Sequence, residues 1–313
     1  MNIRDYIREN EARFLEDLFA LIRIPSVSAK SEHKPDMQRC AEHWRNHLLQ
    51  VGAQKAEVFR TPGNPVVYAE RIMDPKAKTI LVYAHYDVMP PEPLELWKSE
   101  PVIRDGHIWA RGADDDKGQG MIQVKGFETA LALGLVQCNV KFLFEGEEEI
   151  GSTNLEAFCR AHKEMLSADV IIVSDTSMVS AETPSLTTGL RGLAYWEMEV
   201  TGPNRDLHSG HFGGAVANPI NELCKLIAGI VDENGRITIP HFYDDVVPLS
   251  DEERQMIAQV PFSEEKYCQA LDIDAVFGEA GYSTLERNSC RPSFDVCGIW
   301  GGYTGEGAKT VLP

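Results

Sequence analysis

TILVYAHYDV, residues 79–88, decides the fold. Its first half is β-branched and aromatic without a polar break, as a strand buried on both faces reads, and it ends in His85 and Asp87. Two further runs have the same form. VKFLF, residues 140–144, leads into the acids from Glu145 to Glu149, and DVIIV, residues 169–173, leads into Asp175. Helical patterns separate these later runs. Met121 to Leu133 sets Val124, Phe127 and Leu131 on one face and stops at Gly134, while Leu155 to Met165 reads as a surface helix. Strands alternating with helices predict an α/β layer around a largely parallel sheet.

Upstream, Ile3, Ile7, Phe14, Leu18, Leu21 and Ile22 recur at helical spacing until Pro25. Met37, Cys40, Ala41, Trp44 and Leu48 predict a second helix over 36–51, closed near Gly52. Beyond about residue 186 the character changes. Leu193 to Val200 alternates as an antiparallel strand does, and Asn218-Pro219 supplies a cap and first-turn proline for a helix running to Ile230. Ser250 and Glu253 have capping-box spacing, so short helices are expected over 250–259 and 264–271. A length of 313 residues also suits two domains, read here as 1–186 and 187–313.

The composition, 43% apolar and 25% charged, is that of a folded soluble protein. A formal net charge of -18 argues against nucleic acid or anionic membrane as partner, because phosphate attraction needs excess Lys and Arg. Met1 to Ile22 lacks the unbroken apolar core of a signal peptide or membrane span, which predicts a cytoplasmic protein. Seven cysteines scattered without C-x-x-C pairs read as reduced, mostly buried thiols.

The chemistry concentrates where the three buried strands end. His85 and Asp87, two apart on a strand, point to the same side, so one can ligate a metal while the other orients it. A hydrogen-bonded histidine at a strand end is the plainer alternative. EGEEEIGS, residues 145–152, crowds carboxylates that repel unless a cation or proton compensates; otherwise it is a solvated acidic turn. There Glu148 and Glu149 can divide metal binding and proton transfer between them. RGADDDKG, residues 111–118, is a glycine-flanked acidic loop without the D-x-D-x-D-G spacing of a calcium loop. Ligands of open α/β sheets bind at the carboxyl ends of the strands. One histidine and four acidic groups are expected to converge there, a donor set that suits zinc, cobalt or manganese better than calcium or copper. Two metals sharing one carboxylate account for the surplus of acids, and such a pair lowers the pKa of water toward about 7 and polarises a carbonyl.

The motifs HYDV, RGADDDKG, EGEEEIGS, VSDT, GLRG, DLHSG and GAKTVLP follow one another from residue 85 to residue 313. In that order the chain resembles the M20 family of metallopeptidases, above all its cytosolic nonspecific dipeptidase and carnosinase branch. The resemblance implies a zinc-peptidase-like domain, a mixed and largely parallel sheet flanked by helices. It also implies a second α+β domain, ferredoxin-like, acting as a lid and joining two copies as a homodimer. It implies that His85 ligates the first zinc, that Asp87 orients it and that Asp115 bridges both metals, with a cis peptide between Asp115 and Asp116. Glu148 is then the general base, and Glu149 and Asp175 the terminal ligands of one zinc each. His208 reaches from the lid into the partner subunit's site to stabilise the oxyanion, Thr310 contacts substrate, and Arg191 supports the domain junction.

Members of this family run on past the TVLP stretch, so the resemblance implies that both domains are incomplete within residues 1–313. A late histidine ligand and a substrate-binding arginine are expected outside it. The implied function is hydrolysis of dipeptides or small peptides by water activated between two zinc ions, with manganese or cobalt as substitutes. The same motifs fit an N-acyl-amino-acid deacylase or a metal-binding protein without activity. The Asp115-Asp116 pair and the long second-domain insertion favour the dipeptidase.

Overall fold

The computed structural model describes residues 1–93, 95, 100–180 and 183–313, and its chain forms two compact units, Met1–Thr176 and Ser177–Pro313.

The first unit opens with helices α1, Ile3–Ile22, and α2, Lys34–Gln50. Asn2 caps α1 by accepting the N–H of Asp5 at 3.0 Å, and a proline at the start of α2 spends no hydrogen bond there. Strands β1, Lys55–Phe59, β2, Val66–Arg71, and β3, Thr79–His85, follow, then a separate hairpin of β4, Val102–Arg104, and β5, His107–Trp109. Helix α3, Lys117–Ala132, strand β6, Asn139–Glu145, helix α4, Leu155–Ala161, and strand β7, Val170–Val173, complete the unit.

The sheet runs β1-β2-β6-β3-β7 and is mixed. β6, β3 and β7 are parallel, whereas β1 and β2 pair antiparallel at the other edge. Alternation along the strands sends side chains to both faces. Val82, Ala84, Phe142 and Phe144 pack with Leu21, Trp44, Leu48 and Val124 from α1, α2 and α3; Leu81 and Leu143 pack on the other side with Phe158 of α4. Trp44 meets Phe144 edge-on at 4.7 Å, so the packing there is geometric as well as apolar.

The predicted boundaries shift for local reasons. β3 stops at His85 because its partner β6 stops at Glu145; Tyr86 still donates to the Glu145 carbonyl at 2.8 Å, and Val88 then turns to Ser26. α3 starts at Lys117, a turn before the apolar pattern, and its glycines permit close approach. A Cβ at Gly118 would meet the Ala113 carbonyl oxygen at 1.8 Å, and one at Gly120 would press on Ala84 at 3.1 Å. α4 closes at Ala161, and residues 162–166 continue as turns, with Leu166 donating to the His162 carbonyl.

In the second unit, β8, Leu207–His208, leads into α5, Ser209–Phe212; α6, Pro219–Ala228, α7, Asp251–Ala258, α8, Glu264–Leu271, and α9, Thr284–Ser289, precede β9, Val311–Leu312. β8 and β9 pair antiparallel. The Asn218 cap of α6 and the Ser250–Glu253 capping box of α7 form as their spacing predicts. Leu193 to Val200, expected as a strand, forms none. A strand needs a neighbour for its backbone hydrogen bonds, and among the described residues none pairs with this segment; Leu193 and Trp196 stand 90% and 83% exposed. The cysteines are all unpaired, but only Cys40 is buried, so the expectation of mostly buried thiols fails. Cys224 is exposed on α6, and Cys297 is exposed in an irregular stretch outside any helix or strand. Arg191 donates to the Arg291 carbonyl at 3.3 Å and the Ser293 hydroxyl at 3.4 Å, both within this unit.

Candidate metal centre

Parallel pairing of β6, β3 and β7 aligns their carboxyl ends. His85 stands opposite Glu145, and Tyr83 opposite Val173, so the segments carrying Glu148 and Asp175 leave the sheet on either side of His85. Asp115 and Asp116 arrive from elsewhere, on the turn that starts α3. The sheet therefore supplies one imidazole and two acidic segments, and the helix supplies a third.

The His85 side chain is fully buried. Its Nε2 lies 3.0 Å from Asp115 Oδ1, 3.6 Å from Asp175 Oδ2 and 4.0 Å from Glu148 Oε2. His85, Asp115 and Asp175 each offer a donor atom within 4.8 Å of the others. The other ring nitrogen, Nδ1, faces Asp87, 3.0 Å from its carbonyl oxygen and 3.3 Å from Oδ1. The Asp87 carboxylate is itself fixed, accepting the N–H of Glu148 on Oδ1 at 3.2 Å and that of Glu149 on Oδ2 at 3.1 Å. One buried carboxylate thus aims both the imidazole and the acidic turn.

That turn, a short 3-10 helix over Glu148–Ile150, is also held from outside. Glu147 accepts the Asn64 N–H at 2.9 Å, the Asn154 N–H at 3.2 Å and the Asn154 side-chain amide at 2.8 Å. Glu145, buried, accepts the hydroxyls of Tyr83 at 2.6 Å and Ser152 at 2.8 Å. Within one acidic run, Glu145 and Glu147 are therefore braces, and Glu148 faces the imidazole. Glu149 shares the turn; its Oε1 accepts the Met89 N–H at 3.1 Å, and it lies outside the His85–Asp115–Asp175 group.

The Asp115–Asp116 peptide is cis. Asp116 Oδ2 accepts the His85 N–H at 3.0 Å, and its buried Oδ1 has no hydrogen-bond partner among the described residues. Lys117, also buried, reaches back to the end of α1, donating to the Ile24 carbonyl at 2.7 Å and the Leu21 carbonyl at 3.3 Å. Ser26, in the same segment, donates to the Tyr86 carbonyl at 2.6 Å. The chain around residues 21–27 thereby braces the approaches to both His85 and Asp115.

The electrostatics describe a site built around positive charge. Burial opposes a charged imidazole, yet Asp87, Asp116 and Glu148 outweigh it and push His85 up to about 10. Burial pushes the Asp116 carboxyl up to about 7 against the pull of His85. Burial also raises Glu148, Glu149 and Asp175, with His85 opposing and neighbouring carboxylates reinforcing the shift. Carboxylates this close stay ionised together only against a cation, and an imidazole with oxygen donors fits a divalent metal. The donor atoms of His85, Asp115 and Asp175 pass that test by position as well as by chemistry.

Residues 81–285 match the sequence model of Peptidase family M20/M25/M40. The chain belongs to this family. Among its M20 relatives is the Cys-Gly metallodipeptidase dug1 of Schizosaccharomyces pombe, 33% identical over 325 residues, a match covering 99% of this chain and 68% of that protein. The human Beta-Ala-His dipeptidase is 30% identical, with 98% and 64% covered. Among solved structures, the M20 family metallo-carboxypeptidase Sso-CP2 from Sulfolobus solfataricus superposes with a TM-score of 0.79 at 35% identity, covering 96% of this chain and 68% of its own. The di-peptidase Dug1p from Saccharomyces cerevisiae has the same TM-score at 28% identity, with 99% and 69% covered. The chain thus spans about two thirds of the length of these M20 proteins.

In the second unit, the two residues expected to meet substrate lie together. Thr310 Oγ1 is 3.3 Å from Nε2 of His208, whose Nδ1 accepts the Gly210 N–H at 3.0 Å; Ser209 donates to the Thr310 carbonyl at 3.2 Å. The β8–β9 ladder makes this pair, joining segments about a hundred residues apart in sequence. Neither motif by itself carries a signal of the pairing. Sequence reasoning also leaves Glu147, Lys117 and Ser26 unassigned: Glu147 and Lys117 lie in the charged runs EGEEE and DDDKG, where nothing separates them from their neighbours, and Ser26 follows a proline.

Proposed function

We propose that this chain supplies the metal-binding part of a hydrolase that cleaves dipeptides or similarly small peptides. The observation that carries the reading is the convergence of His85, Asp115 and Asp175 within 4.8 Å, with Glu148 beside them. Two divalent metals, zinc in the first place with manganese or cobalt as substitutes, are the cofactors. When bound, they supply Lewis acidity, making water a stronger nucleophile and the scissile carbonyl a better electrophile.

The chain's own groups do the rest. His85, Asp115, Glu149 and Asp175 would hold the metals, and Asp87 keeps His85 in the orientation that offers Nε2. Glu148 is half-exposed at the edge of the group, where it can take a proton from the attacking water and return it to the departing amine. His208 and Thr310 form the substrate-facing pair of the second domain, His208 donating to the developing oxyanion across a homodimer. The metal-binding domain extends to about residue 186 and the lid and dimerisation domain from 187 onward. The compartment proposed is the cytoplasm; among the described residues no helix is long and apolar enough to cross a membrane.

The test is a substrate panel with zinc or manganese added: Cys-Gly, β-Ala-His and other dipeptides against N-acetyl amino acids and longer peptides. The reading expects dipeptides to be preferred, and Glu148→Ala to keep its metal while losing about 10²–10⁴-fold in turnover. Faster cleavage of N-acyl amino acids would assign a deacylase. Stepwise trimming of longer peptides would point to chemistry like that of the Sulfolobus carboxypeptidase. Metal binding with no hydrolysis of any amide would leave a metal-binding protein.

A further inference from the structure

We propose that Gln119 and Gln123 are positioning residues that fix Asp175 in the metal centre by holding the residues on either side of it. The inference rests on the reading of Asp175 as a metal-holding carboxylate.

The sheet does not place Asp175. Among the described residues β7 is an edge strand paired with β3 alone, and their last paired residues are Tyr83 and Val173. Past Val173 the chain has left the ladder, so among the described residues Ser174, Asp175 and Thr176 make no strand hydrogen bonds, only a local turn in which the Thr176 N–H also donates to the Ser174 carbonyl at 2.7 Å. Two side chains of α3 take over. The Gln123 side-chain amide donates to the Ser174 hydroxyl, and Gln119 Oε1 accepts the Thr176 N–H at 3.2 Å. The two bonds bracket Asp175.

The helix register makes this possible. Gln119 and Gln123 are four apart, one above the other on a single face, both half-buried. α3 begins directly after Asp115 and Asp116, so the element that presents Asp115 at its first turn also grips the neighbours of Asp175. The separation of the two carboxylates is then set by one rigid helix rather than by a sheet edge and a loop. Groups that orient metal ligands are worth about 10–100-fold in metal affinity.

Co²⁺ affinity by chelator competition and the visible absorption of the bound Co²⁺ provide the test, on the full chain. It compares the parent protein with Gln119→Met, Gln123→Met, their double variant, Ser174→Ala, Gln119→Glu and Asp175→Ala. Methionine keeps the length and helix preference of glutamine without the amide. The double variant is expected to weaken Co²⁺ binding about 10–100-fold and to alter the absorption bands. Ser174→Ala should reproduce the loss of Gln123→Met, with no further loss when the two are combined. Gln119→Glu keeps an acceptor for Thr176 and should stay within about threefold of the parent. If Asp175→Ala weakens binding while the double variant and Ser174→Ala stay within threefold, the positioning role is overturned. If Asp175→Ala itself binds Co²⁺ as tightly as the parent, the reading of Asp175 fails, and this inference with it. Should the double variant not fold, Ser174→Ala and Gln119→Glu decide alone: loss in the first with retention in the second supports the role, and equal affinity in both overturns it.

Discussion

Oδ1 of Asp87 lies 3.3 Å from Nδ1 of His85, with both side chains shut off from solvent. The carboxylate is pinned by the backbone N–H groups of Glu148 and Glu149, so it holds the imidazole with Nδ1 turned inward and Nε2 toward Asp115 and Asp175. Asp87→Asn keeps one acceptor oxygen and loses the charge; divalent metal affinity is expected to fall about tenfold, read by chelator competition. Asp87→Ala also strands two backbone donors. It should lose roughly a further 2 kcal/mol of stability in urea titrations of the metal-free protein.

Asp116 is fully buried, one of its oxygens has no hydrogen-bond partner among the described residues, and burial lifts it from the ordinary 3.8 to about 7. Its folded value lies above its unfolded one, so protonation favours the folded state. The penalty for the charge is absent below pH 3.8, grows between 3.8 and about 7, and is complete above that. Asp116→Asn retains an acceptor for the His85 N–H. In chelator-treated protein it should raise stability at pH 8 by on the order of 2–4 kcal/mol and leave stability at pH 4 nearly unchanged, measured by urea unfolding.

His47 behaves in the opposite sense. Burial, joined by the charge of Lys125, holds it down to about 4, and its buried Nε2 has no hydrogen-bond partner among the described residues. A histidine lowered by folding contributes stability that is complete above 6.5 and is lost as pH falls toward 4. His47→Leu, packing beside Trp44, should therefore remove most of an acid-side loss on the order of 2–3 kcal/mol between those limits. Urea midpoints taken across that range for parent and variant give the comparison; parallel curves would reject it.

In the second unit, Arg291 and Glu279 form a buried bidentate pair at 2.7 and 2.9 Å, with Arg236 at 3.2 Å and the rings of Tyr243 and Tyr282 beside Arg291. Arg291→Met leaves Glu279 facing only the more exposed Arg236. A cost of about 3–5 kcal/mol to this unit is expected, because one partner of a buried pair remains uncompensated. Limited proteolysis after Arg236 or Lys266 in the variant, absent from the parent, would report the local opening.

Much of this arrangement is readable in the sequence, for a definite reason. Strands buried on both faces must be apolar throughout, so β3 and β6 stand out, and whatever polar groups follow them must sit at the sheet's edge. β7 carries the same apolar run, yet the expectation that it is buried fails: it lies at the edge of the sheet, and Val170, Ile171 and Val173 are exposed. What the pattern withholds is direction. In the run from Glu145 to Glu149 five residues include four acids of identical type, yet Glu145 and Glu147 brace the turn while Glu148 faces His85, a division fixed by a short 3-10 turn and by Asn64 and Asn154 far away in sequence. Leu193 to Val200 fails for the converse reason: alternation states which side of a strand would be apolar, but not whether another strand lies alongside. Gln119 and Gln123 are legible only as two amides on a helix that also carries Lys117, Lys125 and Glu128, a sign too weak to interpret before Ser174 and Thr176 are seen against them.

His85, Asp115, Glu148 and Asp175 all precede Thr176, the last residue of a unit with its own core. Among the described residues, these four side chains are brought together by β3, β6, β7 and α3, so the cluster they form draws on no element of Ser177–Pro313.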